Sequence, residues 1–210
     1  MKIFSLFLVL GILCSCATPG KVRSAKSLDI EEVNADETTA EAHARILKFT
    51  SLYDLHSFFY TKKIILDPQA EPHSHPVLTL NTRYAHSTEK LMSQLLHEEL
   101  HWWMEMNTHK VEVAMPDFRK AFKNTPKIDG ANDPNATYRH LIICWMEYMA
   151  LEKYFGKDSA RKTITHFMKK EKRFPWIYQK VLNDPQKIQD IVGKHKFIPE
   201  ELFQRITIVR

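Results

Sequence analysis

Cysteine is scarce in this sequence: of three in 210 residues, Cys14 and Cys16 fall within the first sixteen positions. A chain cut at Cys16 keeps only Cys16 and Cys144, and with Cys16 modified no intramolecular disulfide is available, so the fold must stand on its core. No apolar run after Leu13 reaches membrane-spanning length. Long blocks of one charge are also missing. Acidic and basic residues alternate along most of the chain, and the net charge of +5 is gathered only briefly, at Lys169–Lys172. That balance reads as a solvated surface and not as a nucleic-acid footprint. No internal repeat is present. What is there, 44% hydrophobic residues over 210 positions, suits one globular domain with a real core and is too apolar for a disordered chain.

The first sixteen residues stand apart. Lys2 precedes an apolar run, Ile3 to Leu13, too short to span a bilayer but right for the core of a signal peptide. The run ends in Leu13-Cys14-Ser15-Cys16, which resembles a bacterial lipoprotein signal, with Leu three residues before the cysteine and a small residue just before it. The resemblance implies lipidation at Cys16 and a mature domain anchored to a membrane, in the cell envelope, facing the periplasm or the exterior. The alternative is an ordinary secretory signal cut near Ala17. Residues 17–36 are polar without sustained apolar period and read as a linker, leaving 37–210 as the folded domain.

Within that domain a helical pattern begins near Asp36 and runs through Ala42, Ile46 and Leu47 toward Tyr60, with a break near Thr50. Thr61–Asp67 and Pro76–Arg83 carry the β-branched character of short strands, separated by a loop rich in Pro and His. A long helix is expected over Ser87–Met106 and a second apolar one over Ala136–Phe155, stopped by Gly156. A mixed region containing Pro116 lies between them. Asp158–Lys170, Pro175–Leu182 and a segment opened by Asp184-Pro185 complete the chain as shorter helices. The order predicts an α+β fold, predominantly helical, with a small sheet preceding a central helix.

The central helix carries Leu96-His97-Glu98-Glu99-Leu100-His101-Trp102, which contains H-E-x-x-H. Four-residue spacing puts His97 and His101 about 40° apart on one helical face, close enough to share a metal. Glu98 points about 100° away from His97; it is placed to act as general base on a zinc-activated water and not as a third ligand. Apolar residues cover most of this helix, and the two histidines edge its narrower polar face. Glu99 projects into the apolar arc, where a carboxylate needs a partner; Arg83 is one candidate, and a structural role is expected.

Catalytic zinc commonly takes three protein ligands and keeps one open position. On the second apolar helix, His140, Cys144 and Glu147 fall on one stripe. His140 and Glu147 stand two turns apart, about 10 Å, too far for both to hold one ion. Glu147 is chosen as ligand, because a carboxylate on a buried helix requires a compensating charge. His140 then faces the cleft and stabilises a developing oxyanion or orients a ligand; the reverse assignment makes His140 the ligand. Cys144 reads as a small buried hydrophobe.

Together these features resemble the glutamate-zincin branch of the zinc metallopeptidases: H-E-x-x-H on one helix and a glutamate on a later one, over about residues 76–156. The resemblance implies a zincin-like core, one Zn2+ per chain held by His97, His101 and Glu147, Glu98 as catalytic base, and a peptide or protein substrate lying along the strand at Pro76–Arg83. The chain departs from that pattern in having no N-E-x-x-[ST]-D around Glu147 and Leu at position 151. The metzincin branch is excluded, since no histidine follows His101 at its spacing. A non-catalytic envelope lipoprotein that keeps the fold for binding or assembly is the alternative.

Tyr178 is a further candidate. A tyrosine near zinc can stabilise a tetrahedral intermediate, while core packing is the commoner use of an aromatic on such a helix. His73, His75 and His86 read as exposed histidines of a Pro-rich loop. Neither the substrate nor the oligomeric state is encoded legibly.

Overall fold

The computed structural model describes residues 28–53, 55, 58–126, 130–131, 133–171, 174–198 and 202. The expected signal peptide, Cys16 and most of the expected linker lie outside the described residues. In chain order the elements are β1 (Asp29–Glu32), α1 (Glu37–Leu52), β2 (Lys63–Leu66), β3 (Leu78–Leu80), α2 (Thr88–Met106), α3 (Thr108–Ala121), α4 (Pro134–Phe155), α5 (Lys157–His166), a π-helical turn (Phe167–Glu171), α6 (Pro175–Asn183) and α7 (Pro185–Lys194). The fold is α+β and predominantly helical, as the sequence predicts. No helix among the described residues is long and apolar enough to cross a membrane.

The three strands form one parallel sheet in the order β1-β2-β3. Its register pairs Ile64 with Leu78 and Leu66 with Leu80, and all four are fully buried, so alternate positions of β2 and β3 feed the core. The outer edge of β3 is already engaged: His73 and Thr79 exchange both backbone hydrogen bonds, at 3.0 and 2.8 Å. Any further strand could pair with Thr79 only by displacing His73.

β1 corrects the expected linker, whose last residues belong to the fold. Asp29–Glu32 has no apolar alternation beyond the half-buried Ile30. It is held through the backbone, Asp29 N to Lys62 O and Val33 N to Leu66 O, both 2.9 Å, and through a Lys63–Glu31 ion pair at 2.8 Å. Asp36 then starts α1 with a capping box, its carboxylate accepting from Thr39 N while Thr39 Oγ1 accepts from Asp36 N.

α3 occupies the mixed region around Pro116, a residue that removes a helical donor and crowds the carbonyl four residues back. Here Pro116 and Glu112 are both on the exposed side, where water can serve the displaced carbonyl. The opposite side buries Val111, Ala114, Met115 and Phe118, the spacing of an amphipathic helix.

α2 packs most extensively against α4. Its start is fixed by Ser87, whose hydroxyl accepts from Lys90 N, and by Arg45 of α1, whose guanidinium donates to Ala85 O (2.5 Å) and Thr88 Oγ1 (2.8 Å). α4 is enclosed on nearly all sides, with Trp145 among the largest fully buried side chains. Gly156 ends it at φ 81°, a left-handed conformation that costs glycine little.

Candidate metal centre

α2 and α4 bring three imidazoles together. His97 is 5% exposed, His101 and His140 are half-buried, and the ring centres lie 5.1 Å (His97–His101), 5.1 Å (His101–His140) and 5.9 Å (His97–His140) apart. Within this group one ligand nitrogen from each residue lies within 4.8 Å of the others. A tetrahedral ion about 2.0–2.1 Å from three imidazole nitrogens puts the ring centres about 5 Å apart; the two pairs that include His101 stand at that spacing, and His97–His140 is wider at 5.9 Å.

A second group of donors, His97, Cys144 and Glu147, meets the same 4.8 Å limit and is buried throughout. The two groups share His97. His97 Nδ1 is 3.0 Å from Glu147 Oε2; with the proton on Nδ1 facing the carboxylate, the lone pair is on Nε2. His140 has the same arrangement, Nδ1 2.9 Å from the Ala136 carbonyl, which fixes its proton on Nδ1 and its lone pair on Nε2. An N–H held by a carboxylate or a carbonyl is the usual way a ligating imidazole is oriented.

Glu147 is 1% exposed and surrounded by donors. Ser93 Oγ donates to Oε1 through a short hydrogen bond, and Tyr178 OH donates to Oε2 at 3.3 Å. Three partners from α2 and α6 thus compensate the buried carboxylate. The structure therefore gathers Glu147 with His97 and Cys144, whereas His101 gathers with His97 and His140. Tyr178, 2% exposed, reaches the cluster through Glu147. Glu98 is 4% exposed, on the turn that carries His97.

Two contributors went unread in the sequence. Ser93 lies one turn before His97 on the same face of α2, a polar residue in an apolar stretch, and that was its signal. Phe174 stands against two of the imidazoles, its ring centre 4.6 Å from His140 and 6.2 Å from His97, at φ 46° and ψ 49° just before α6. No sequence pattern marks that role.

Glu99 has the structural role expected of it, with a different partner. Its Oε2 accepts from the backbone N–H of Tyr60 (2.7 Å) and Thr61 (3.2 Å), tying α2 to the corner that opens β2. Burial pushes its carboxyl up to about 8, against the smaller opposing pull of those two N–H groups. Arg83, the candidate partner, instead approaches Glu71 at 3.8 Å.

Cavities open on both sides of the imidazoles. The larger, about 650 Å³, is bounded by His101 and His140 and extends past His75, Glu105, Asp133 and Arg139. The smaller, about 200 Å³, is bounded by His97, Glu147, Tyr178 and Gln94. Of the loop histidines, His75 stacks on Trp102 at 4.0 Å and meets Glu105 at 2.7 Å, while His86 pairs with Glu41 at 2.5 Å. None of His73, His75 and His86 enters a three-donor group among the described residues.

Comparison of the chain with protein-family models, with curated proteins and with solved structures gives no match.

Proposed function

We propose that this protein is a zinc-dependent hydrolase, a metallopeptidase of the bacterial cell envelope, with His97, His101 and His140 as metal ligands and Glu98 as general base. The observation that carries the reading is the convergence of the three imidazoles, with ring centres 5.1–5.9 Å apart, beside a cavity of about 650 Å³. Zinc bound there would supply a Lewis acid for a carbonyl oxygen and lower the pKa of water toward neutrality. Glu98 takes a proton from water and returns it to the departing amine. Glu147 and the Ala136 carbonyl hold His97 and His140 in the tautomer that presents Nε2. The ring of Phe174 packs beside His140 and His97, with ring centres 4.6 and 6.2 Å away.

In this reading Glu147 orients a ligand instead of binding metal, and His140 takes the third position. The support is that Glu147 already accepts from Ser93, His97 and Tyr178, whereas His140 joins the group that contains both motif histidines. Assignment to the envelope rests on Lys2, the apolar run Ile3–Leu13 and Cys16, with a lipid anchor at Cys16.

The test is zinc content and hydrolysis of a mixed peptide substrate by the full chain and its Glu98→Gln variant. About one zinc per chain in both, with a rate loss of about 100-fold or more in the variant, is the expected result. An active Glu98→Gln enzyme, or a wild-type chain that takes up no zinc, would remove the reading.

The alternative, a binding lipoprotein without turnover, draws support from the second donor group. A cation held by His97, Cys144 and Glu147, all buried, would sit away from the larger cavity and beside the smaller one, and a fourth protein donor closing the site would make it structural. Zinc content that survives His140→Ala and is lost in Cys144→Ala favours this alternative; the opposite pattern favours the hydrolase.

A further inference from the structure

The larger cavity carries an inference about substrate, which rests on the hydrolase reading. It is lined by His101 and His140, so a substrate whose scissile amide sits at the three imidazoles has this cavity open to a flanking residue. Its floor is apolar: Met104, Val111 and Ile143 line it and are each at most 7% exposed. Its rim is acidic. Glu105, with a side chain 65% exposed, keeps one carboxylate oxygen beyond the one that meets His75. Asp133 caps α4 through Asn135 N and Ala136 N and retains further acceptor capacity. The cation on the wall, Arg139, is neutralised by Glu112.

We propose that this cavity is a specificity subsite for a residue with a long apolar stem and a cationic head, lysine or arginine, next to the amide that is cut, with Glu105 and Asp133 as the residues that read the charge. Long basic side chains lay their methylenes on apolar surface and keep the charged end at a polar rim, and the cavity offers both, the buried Met104, Val111 and Ile143 and the exposed Glu105 and Asp133. An acidic side chain meets two carboxylates there, and a purely apolar one forgoes the rim.

The probes are acetylated tripeptide amides that differ only in the central residue: lysine, arginine, norleucine or glutamate. Binding to the full chain is measured by calorimetry with Glu98→Gln in the background, so that turnover does not intervene. Lysine and arginine are expected to bind about fivefold or more tighter than norleucine, the scale of two part-exposed charge contacts, and glutamate weakest. The preference should shrink in high salt. It should fall below about twofold in the Glu105→Gln, Asp133→Asn double variant, where asparagine preserves the helix cap, and Glu105→Lys should shift it toward glutamate. Norleucine binding as tightly as lysine, or a preference that survives the double variant, would overturn the inference. A charge preference in a chain whose wild type cuts no peptide would remove the hydrolase reading while leaving the subsite. Hydrolysis indifferent to the four residues would do the reverse.

Discussion

Glu147 Oε2 faces His97 Nδ1 at 3.0 Å across the α2–α4 interface, which makes one buried carboxylate responsible for the orientation of the first histidine of the H-E-x-x-H motif. Replacing Glu147 by Gln keeps its shape but changes what His97 meets. The expected outcome is a zinc affinity weakened by about 10- to 100-fold, the usual cost of losing a ligand's outer partner, with binding retained at high zinc. His140→Ala should cost more, because under the proposed assignment it removes a ligand outright. Chelator-competition titration of both variants measures the order, and a Glu147→Gln chain weaker than His140→Ala would make Glu147 the ligand.

Tyr178 meets Glu147 at 3.3 Å, the longest of the three contacts to that carboxylate. Tyr178→Phe keeps the ring in the core and removes the hydroxyl alone. Loss of about 0.5–1.5 kcal/mol of stability is expected, with a smaller change in zinc affinity than Glu147→Gln produces. A much larger fall in hydrolysis than in affinity would show the hydroxyl touching substrate, the role the sequence allowed.

How much of this could be read beforehand differs from residue to residue. His97, Glu98 and His101 were legible because helical spacing alone sets their mutual geometry. The stripe of His140, Cys144 and Glu147 was legible too, but not its division of labour. That depends on how α4 is set along α2, which spacing within one helix does not encode: Glu147 meets His97 Nδ1 at 3.0 Å, and the His140 ring centre lies 5.9 Å from that of His97. β1 escaped notice because backbone hydrogen bonds hold it with only Ile30 half-buried, and α3 because Pro116 masks a sound apolar spacing. The helix start at Ser87 and the stop at Gly156 follow from local chemistry and stand where expected, whereas α4 begins at Pro134, two residues before Ala136, under an Asp133 cap.

Glu99 gives the chain a pH signature of its own. Its carboxyl titrates near 4.5 when exposed and at about 8 in the fold, so the folded chain holds a proton that the unfolded chain has released. The contribution to stability is full below the ordinary value and is lost as pH rises through about 8. Glu99→Gln keeps an oxygen for Tyr60 N and Thr61 N but has nothing to ionise. Urea denaturation near the two ends of this window should show a steeper fall in stability for wild type than for Glu99→Gln. Parallel profiles would mean that the carboxyl is charged throughout.

Phe174 carries both a ring against His97 and His140 and a backbone at φ 46°, and the two can be separated by substitution. Alanine and glycine each remove the ring, and the imidazoles lose the same cover in either case. They differ in the backbone: alanine must still enter the left-handed region, at a cost of about 1–2 kcal/mol, whereas glycine enters it readily. Phe174→Gly is therefore expected to be more stable than Phe174→Ala by about 1 kcal/mol, the reverse of the order found inside helices. Chemical denaturation of the two variants measures the difference. Both should label faster at His97 and His140 with an imidazole-acylating reagent than wild type does, since the ring that packs beside those histidines is gone. Alanine at least as stable as glycine would mean that the segment before α6 relaxes once the ring is removed, and that contact with the two imidazoles is what holds Phe174 in its strained conformation.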